Sequence, residues 1–268
     1  MNDGVGAPAA GPDAARRPVD WEGWWRRWER QQTGYLPLRE ARFEAMFSLL
    51  EVDLPPSFLA VDLASGPGGL ADRLLRRFPN ARVDALDFDP VLLRLGREVL
   101  GTHSGRLGWI DADLRTTGWP RALRASPVDA VLSTTALHWL SLDELGALYT
   151  TLHRLLRPGG LFLNGDALAF PAESPRLGNA ARAISARATS AYRALSGAES
   201  WDDWWAAIAR EPALAPELAE RARRMPPQHG HPPDLGLDDH LRRLRQAGFR
   251  ETGVVWSHYS NRVVAAVA

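Results

Sequence analysis

Phe58-Leu-Ala-Val-Asp62-Leu-Ala-Ser-Gly66-Pro-Gly68-Gly69 is followed, after a gap of helical length, by Val83-Asp-Ala-Leu-Asp87-Phe-Asp89-Pro90. An apolar run ending in an acid, a glycine turn, an amphipathic segment and a second apolar run ending in an acid predict a strand-loop-helix-strand nucleotide site. Lacking Cβ atoms, Gly66 and Gly68 allow left-handed backbone and close approach of a ligand to the main chain. The helix that starts near Gly69 is expected to offer unpaired N–H groups to a carboxylate or phosphate. Asp87, about 20 residues on, is placed to accept hydrogen bonds from ribose hydroxyls. Both halves point to an adenosine ligand.

Gly66-Pro-Gly68-Gly-Leu-Ala71 fits G-x-G-x-x-A, so the loop alone leaves a nicotinamide or flavin dinucleotide open. The flanking residues point elsewhere. Val61-Asp62-Leu63-Ala64-Ser65-Gly66-Pro67-Gly68 resembles the first motif of class I S-adenosylmethionine-dependent methyltransferases, with Ala64 where that pattern has its first glycine. The departure is mild if Ala64 keeps a negative φ. The resemblance continues in order. Ala112-Asp113-Leu114 is similar to the third-strand motif that meets the adenine amino group, and Asp129 to Trp139, through Ser133 and His138, to the fourth-strand motif beside the methyl group. Leu152 to Leu163, with Arg157-Pro158-Gly159-Gly160, resembles the turn into the fifth strand, and Gly253 to Val267 the closing strand pair.

The resemblance implies a doubly wound α/β fold: a seven-stranded sheet, parallel with one antiparallel C-terminal strand, plus a helical N-terminal segment and a helical lid insertion. It implies S-adenosyl-L-methionine as cofactor, with Asp62, Ala64, Gly66, Gly68, Asp87, Phe88, Asp113, Leu114 and Ser133 around it. At 268 residues and 45% hydrophobic, the chain is long enough for one such domain with a full core.

Basic and acidic residues balance at 32 each, which argues against a nucleic-acid or anionic-membrane footprint. Every basic residue is arginine, so Schiff-base lysine chemistry is excluded, and the absence of cysteine excludes disulfides and thiolate catalysis. No apolar run approaches the roughly 20 residues that span a bilayer, and residues 1–19 lack the apolar core of a signal peptide. A disordered leader over 1–19, a single domain over 20–268 and a cytoplasmic location are expected.

Asp20 is a candidate N-cap for a helix carrying Trp21, Trp24, Trp25 and Trp28 on one face. The N-terminal helices, 20–52, read either as a packed stripe or as a lid in which Tyr35 faces the sulfonium and Arg39 or Arg42 holds the cofactor carboxylate. An insertion over 167–234, helical around Arg187–Leu195, Trp201–Arg210 and Pro212–Met225, is placed to roof the substrate. Tyr35, His138, Trp139, Tyr192, Trp201, Trp205 and His229 are candidate substrate contacts, each aromatic being equally explicable as packing.

His138 is the acid-base candidate, since it follows the fourth strand and imidazole exchanges protons near neutral pH. His229-Gly-His231 lacks a third ligand at recognisable spacing, so no metal site is expected. Methyl transfer to a small organic acceptor follows, with an oxygen acceptor, carboxylate or hydroxyl, slightly favoured and a monomer or homodimer as the assembly. Two alternatives are a protein of this fold that binds the cofactor without transferring methyl, and a dinucleotide oxidoreductase. The absence of a Tyr-x-x-x-Lys pair weakens the second.

Overall fold

The computed structural model describes residues 18–225 and 235–268. Most of the expected leader, and both His229 and His231, lie outside the described residues. One sheet contains β1 (Leu59–Leu63), β2 (Arg82–Asp87), β3 (Leu107–Asp111), β4 (Val128–Thr134), β5 (Leu156–Ala167), β6 (Glu251–His258) and β7 (Asn261–Val267), in the order β3-β2-β1-β4-β5-β7-β6. Pairing is parallel from β3 through β5, and β7 runs antiparallel to both neighbours. This is the expected seven-stranded sheet with its antiparallel C-terminal strand.

Strands covered on both faces tolerate apolar residues at every position, and the central strands read that way. Ala60, Leu132, Leu163 and Val263 face α2 (Arg39–Asp53) and α3 (Gly69–Arg77), while Val61, Val131, Phe162 and Val264 face α5 (Leu142–Leu155) and α9 (Leu237–Ala247). The strand order reverses between β1 and β4, so a crevice opens at their carboxyl ends, where ligands of such sheets bind.

A third apolar cluster lies outside the sheet. Asp20 caps α1 (Trp21–Tyr35) by accepting from the Gly23 N–H at 2.8 Å. Trp28 of α1 packs with Val91, Leu92 and Leu95 of α4 (Pro90–Leu100) and with Trp204 and Ile208 of α7 (Trp201–Ile208). The insertion therefore rests on the N-terminal helix. Its first helix, α6 (Pro175–Ser196), starts twelve residues earlier than its helical pattern suggests. Pro212 opens a short 3-10 turn, and α8 begins at Ala215 and ends at Arg224. A continuous helix from Pro212 would drive the Pro216 ring into the carbonyl four residues back, so the helix restarts.

Candidate active site

The loop after β1 needs left-handed backbone three times, at Ala64 (φ +52°), Gly66 (φ +56°) and Gly68 (φ +87°). The expectation of negative φ at Ala64 is corrected here: the chain reverses directly after Leu63, and the next residue, Ser65, donates its N–H to Leu86 O at 2.9 Å. Gly68 is required on two counts, because a Cβ there would also stand 2.6 Å from the Trp109 ring.

Asp87 holds this loop. One carboxylate oxygen accepts the Gly66 N–H at 2.6 Å, and the other accepts those of Phe88 and Asp89, both at 2.8 Å. Burial pushes its carboxyl up to about 6, and Asp89 adds to the rise while the three amides oppose it. A carboxylate offers about four lone-pair sites, so capacity remains for a ribose hydroxyl.

The N-terminus of α3 is already served by acids. Asp62 Oδ2 accepts the Ala71 N–H at 3.1 Å, while its buried Oδ1 has no partner among the described residues. Burial drives the Asp62 carboxyl up to about 8. Glu29 is close by, since a Cβ on Gly69 would meet Glu29 Oε1 at 2.6 Å and Arg39 Nη2 at 2.7 Å. Arg39 forms a two-point pair with Glu29 at 2.9 and 3.1 Å, and Arg73 joins the same carboxylate at 2.8 Å. Of the first N–H groups of α3, that of Ala71 is thus taken by a carboxyl group. A pyrophosphate would meet the Asp62 carboxyl group, whereas a cationic group would complete it.

On the β2–β3 side, Phe88 lies between the guanidinium groups of Arg115 (5.4 Å) and Arg224 (5.3 Å). Asp113 is engaged by Arg115 through contacts of 2.7 to 3.1 Å, and Leu114 packs on the sheet core. Arg224 also grips Asp111 at the end of β3 and Phe88 O, and Arg221 reaches Asp89 at 2.6 Å. Two arginines of α8 therefore strap the insertion to the carboxyl ends of β2 and β3.

On the β4–β5 side, Ser133 donates to Leu63 O at 3.0 Å and ties β4 to β1. Arg42, wholly buried, donates from Nε to Asn261 Oδ1 at 2.9 Å. Its Nη1 serves Thr134 Oγ1 (3.0 Å), Thr135 Oγ1 (2.8 Å) and Gly165 O (2.7 Å), and Nη2 also reaches Asn261. Burial lowers its guanidinium to about 10, while nearby Asp166 and Tyr35 support the charge. His138 sits in a single 3-10 turn, Leu137–Trp139, just past β4. Its Nδ1 is 2.9 Å from Asp166 Oδ1, its backbone N–H donates to Asp166 Oδ2 at 3.2 Å, and its ring is 5.4 Å from that of Trp139. Tyr35 and Trp139 keep about half their surface exposed, at 53% and 52%.

A family model for a methyltransferase domain matches residues 60–160. Residues 60–160 are thus similar to a methyltransferase domain. A trans-aconitate 2-methyltransferase of Azoarcus sp. (strain BH72) is 36% identical over 135 residues, 50% of this chain and 48% of that protein, so the chain spans about half the length of this curated relative. Among solved structures, the S-adenosylmethionine-dependent methyltransferase SibL in its apo form superposes with a TM-score of 0.51 at 21% identity, over 79% of this chain and 50% of that one. An O-methyltransferase family protein from Burkholderia thailandensis gives 0.51 at 18% identity, over 92% and 69%. These two likenesses show the fold.

The cofactor of a class I methyltransferase domain is S-adenosylmethionine, and the residues present suit it. The unpartnered Asp62 Oδ1 would take the methionine ammonium, and Asp87 the ribose. Of the other positions expected around it, Ala64, Gly66 and Gly68 form the loop after β1, Phe88 follows β2, Ser133 is buried and bonded to Leu63 O, and Asp113 and Arg42 are held by protein partners.

The aromatic residues singled out from the sequence divide into two groups. Trp201 and Trp204 meet Trp24 and Trp28 in tilted or edge contacts at centroid separations of 4.8 to 6.1 Å, Trp205 packs edge-on against Trp201 and Trp204, and Arg221 lies 3.7 Å over Trp205. Tyr192 packs beside Gly34 of α1. These residues join the insertion to α1. Tyr35 and Trp139 instead border Arg42 and His138.

Sequence reasoning missed Asp166, Thr134 and Thr135, Glu29, and the Arg221–Arg224 strap. Asp166 had a usable signal. It closes the apolar run of β5 as Asp62 and Asp87 close those of β1 and β2, and an acid at a carboxyl strand end faces the crevice of such sheets. Among the described residues, no cluster of three or more His, Asp or Glu could hold a metal, and no helix is long and apolar enough to cross a membrane.

Proposed function

We propose that this protein transfers a methyl group from S-adenosylmethionine to an oxygen of a small organic acceptor. The carrying observation is Asp62, a buried carboxyl group at a helix N-terminus with one oxygen unpartnered, which suits a ligand presenting a cation and disfavours a pyrophosphate. The relative's printed name concerns trans-aconitate, a carboxylic acid, which supports an oxygen acceptor in general.

When bound, the cofactor supplies an electrophilic methyl carbon on a sulfonium. The chain's own contribution is placement. Asp62 and Asp87 fix the two polar ends of the cofactor. Tyr35 and Trp139, each about half exposed, give the acceptor an aromatic wall, and a methyl displacement depends mainly on such positioning. His138 stands where it can accept an acceptor proton.

Calorimetric titration with S-adenosylhomocysteine, with NAD as control, tests the reading. Micromolar binding of the first alone is expected, and Asp87→Ala should weaken it by about 1–3 kcal/mol through loss of a charged acceptor. Asp87→Asn keeps an oxygen for the loop and separates ribose recognition from loop collapse. Binding of NAD instead, or unchanged affinity in both variants, would overturn the assignment.

A further inference from the structure

Helices α1, α4 and α7 each bury residues, and α8 buries none. Leu218 of α8 packs, only partly covered, against the tryptophan cluster. Arginines make the other grips. Arg221 Nε donates to Asp89 Oδ2 at 2.6 Å, and its guanidinium lies 3.7 Å over the Trp205 ring. Arg224 donates to the two oxygens of Asp111 at 2.5 and 3.0 Å and to Phe88 O at 3.0 Å, while Arg94 of α4 reaches Glu217 at 3.3 Å. A helix held by part-exposed ion pairs over little apolar area opens at low cost, and salt weakens the attraction that closes it. Opening leaves neither side stranded. Arg224 keeps its bond to Glu220 within α8 at 2.7 Å, and Asp89 keeps the Val91 N–H at 3.0 Å.

These grips fall on one corner of the sheet. Asp87 Oδ1 accepts the N–H groups of Phe88 and Asp89, so Arg224 at Phe88 O and Arg221 at Asp89 close on the turn that fixes Asp87. Arg224 at Asp111 closes on the end of the adjoining strand, and sheets of this kind receive the nucleoside of a ligand at those strand ends. We propose that α8 is a salt-labile latch over the nucleoside end of the cofactor site, which must lift from Asp89 and Asp111 before ligand enters or leaves. This inference rests on the methyl-transfer reading, from which it takes cofactor binding at Asp87. The latch joins protein groups to protein groups, so it closes with or without ligand. Opening therefore precedes both entry and release, and the latch governs the two rates together while affinity stays nearly constant. The salt response reports the latch itself, because S-adenosylhomocysteine at neutral pH is a zwitterion without net charge and its encounter with the protein is little screened.

The test follows labelled S-adenosylhomocysteine leaving the full chain during a chase with unlabelled ligand, and measures association by stopped-flow tryptophan fluorescence. In the parent protein both rates are expected to rise about fivefold between about 0.02 and 0.5 M NaCl. Arg221→Met combined with Arg224→Met keeps most of the apolar stems and removes the charges. That variant should raise both rates about tenfold, the joint effect of two or three exposed ion pairs, hold Kd within about threefold of the parent and lose the salt response. Asp111→Asn, which weakens one grip from the opposite side, should raise both rates by a smaller factor. Should the double variant fail to fold, the parent's salt response and Asp111→Asn decide the matter. Rates indifferent to salt and to these substitutions would overturn the latch. Faster release with unchanged association would overturn it too, by making the arginines direct ligand contacts. In either case S-adenosylhomocysteine still binds and the proposed function stands, whereas a parent protein that does not bind it would overturn the proposed function and the latch with it.

Discussion

Ala64 holds a left-handed backbone at φ +52° immediately after β1, where an L side chain costs about 1–2 kcal/mol. Glycine would relieve that strain at an entropic cost of about 0.5–1 kcal/mol. Ala64→Gly should therefore stabilise the protein by up to about 1 kcal/mol, read as a higher urea midpoint at unchanged slope; a lower midpoint would mean that the methyl group packs usefully. The acids were legible to different degrees at this scale. Asp62 and Asp87 announce themselves because each ends an apolar run beside a glycine turn. The His138–Asp166 contact joins residues 28 apart, brought together by the parallel pairing of β4 and β5, and the cue at Asp166 is a strand-end acid with no turn motif beside it. Arg42 was expected to hold the cofactor carboxylate, and its protein partners were not legible, because Asn261 lies 219 positions away.

At the scale of elements, the order of strands and helices could be read from apolar runs and glycine turns, and the sheet follows it. The packing of the insertion could not, since a tryptophan stripe looks the same whether it meets substrate or another helix. Trp204 decides the matter for α7, being 1% exposed and in edge-to-face contact with Trp24, Trp28 and Trp205. Trp204→Ala should cost about 3–5 kcal/mol by leaving a large cavity, and should raise amide exchange in α1 as well as α7. Destabilisation confined to α7 would mean that the two helices are not coupled through this ring. The α8 strap is a different kind of contact. Arg224 is 18% and Asp111 39% exposed, so Arg224→Met should lower global stability by about 1 kcal/mol or less while speeding exchange across α8.

Across the whole molecule, charges cancel at 32 against 32, so long-range repulsion does not dominate the pH response, and individual buried acids can. Burial raises Asp62 to about 8 and Asp87 to about 6 from an ordinary value of 3.8. A carboxyl whose folded value lies above its unfolded one stabilises the fold fully below the unfolded value, and that contribution fades as pH rises through the folded one. The ligand-free protein should accordingly lose stability between about pH 4 and 8. Ligand binding reverses the preference at Asp62, because a cationic ammonium beside Oδ1 favours the ionised form and expels the proton. Affinity for S-adenosylhomocysteine should then tighten about tenfold per pH unit from about pH 6 to 7.5 and level off near pH 8, with about one proton released per ligand at neutral pH. Calorimetry in buffers of different ionisation enthalpy measures both quantities. Asp62→Asn, which cannot ionise, should bind more weakly and without this pH dependence. An affinity in the parent protein that stays flat from about pH 6 to 8 would show that Asp62 does not receive the ammonium as a newly ionised carboxylate.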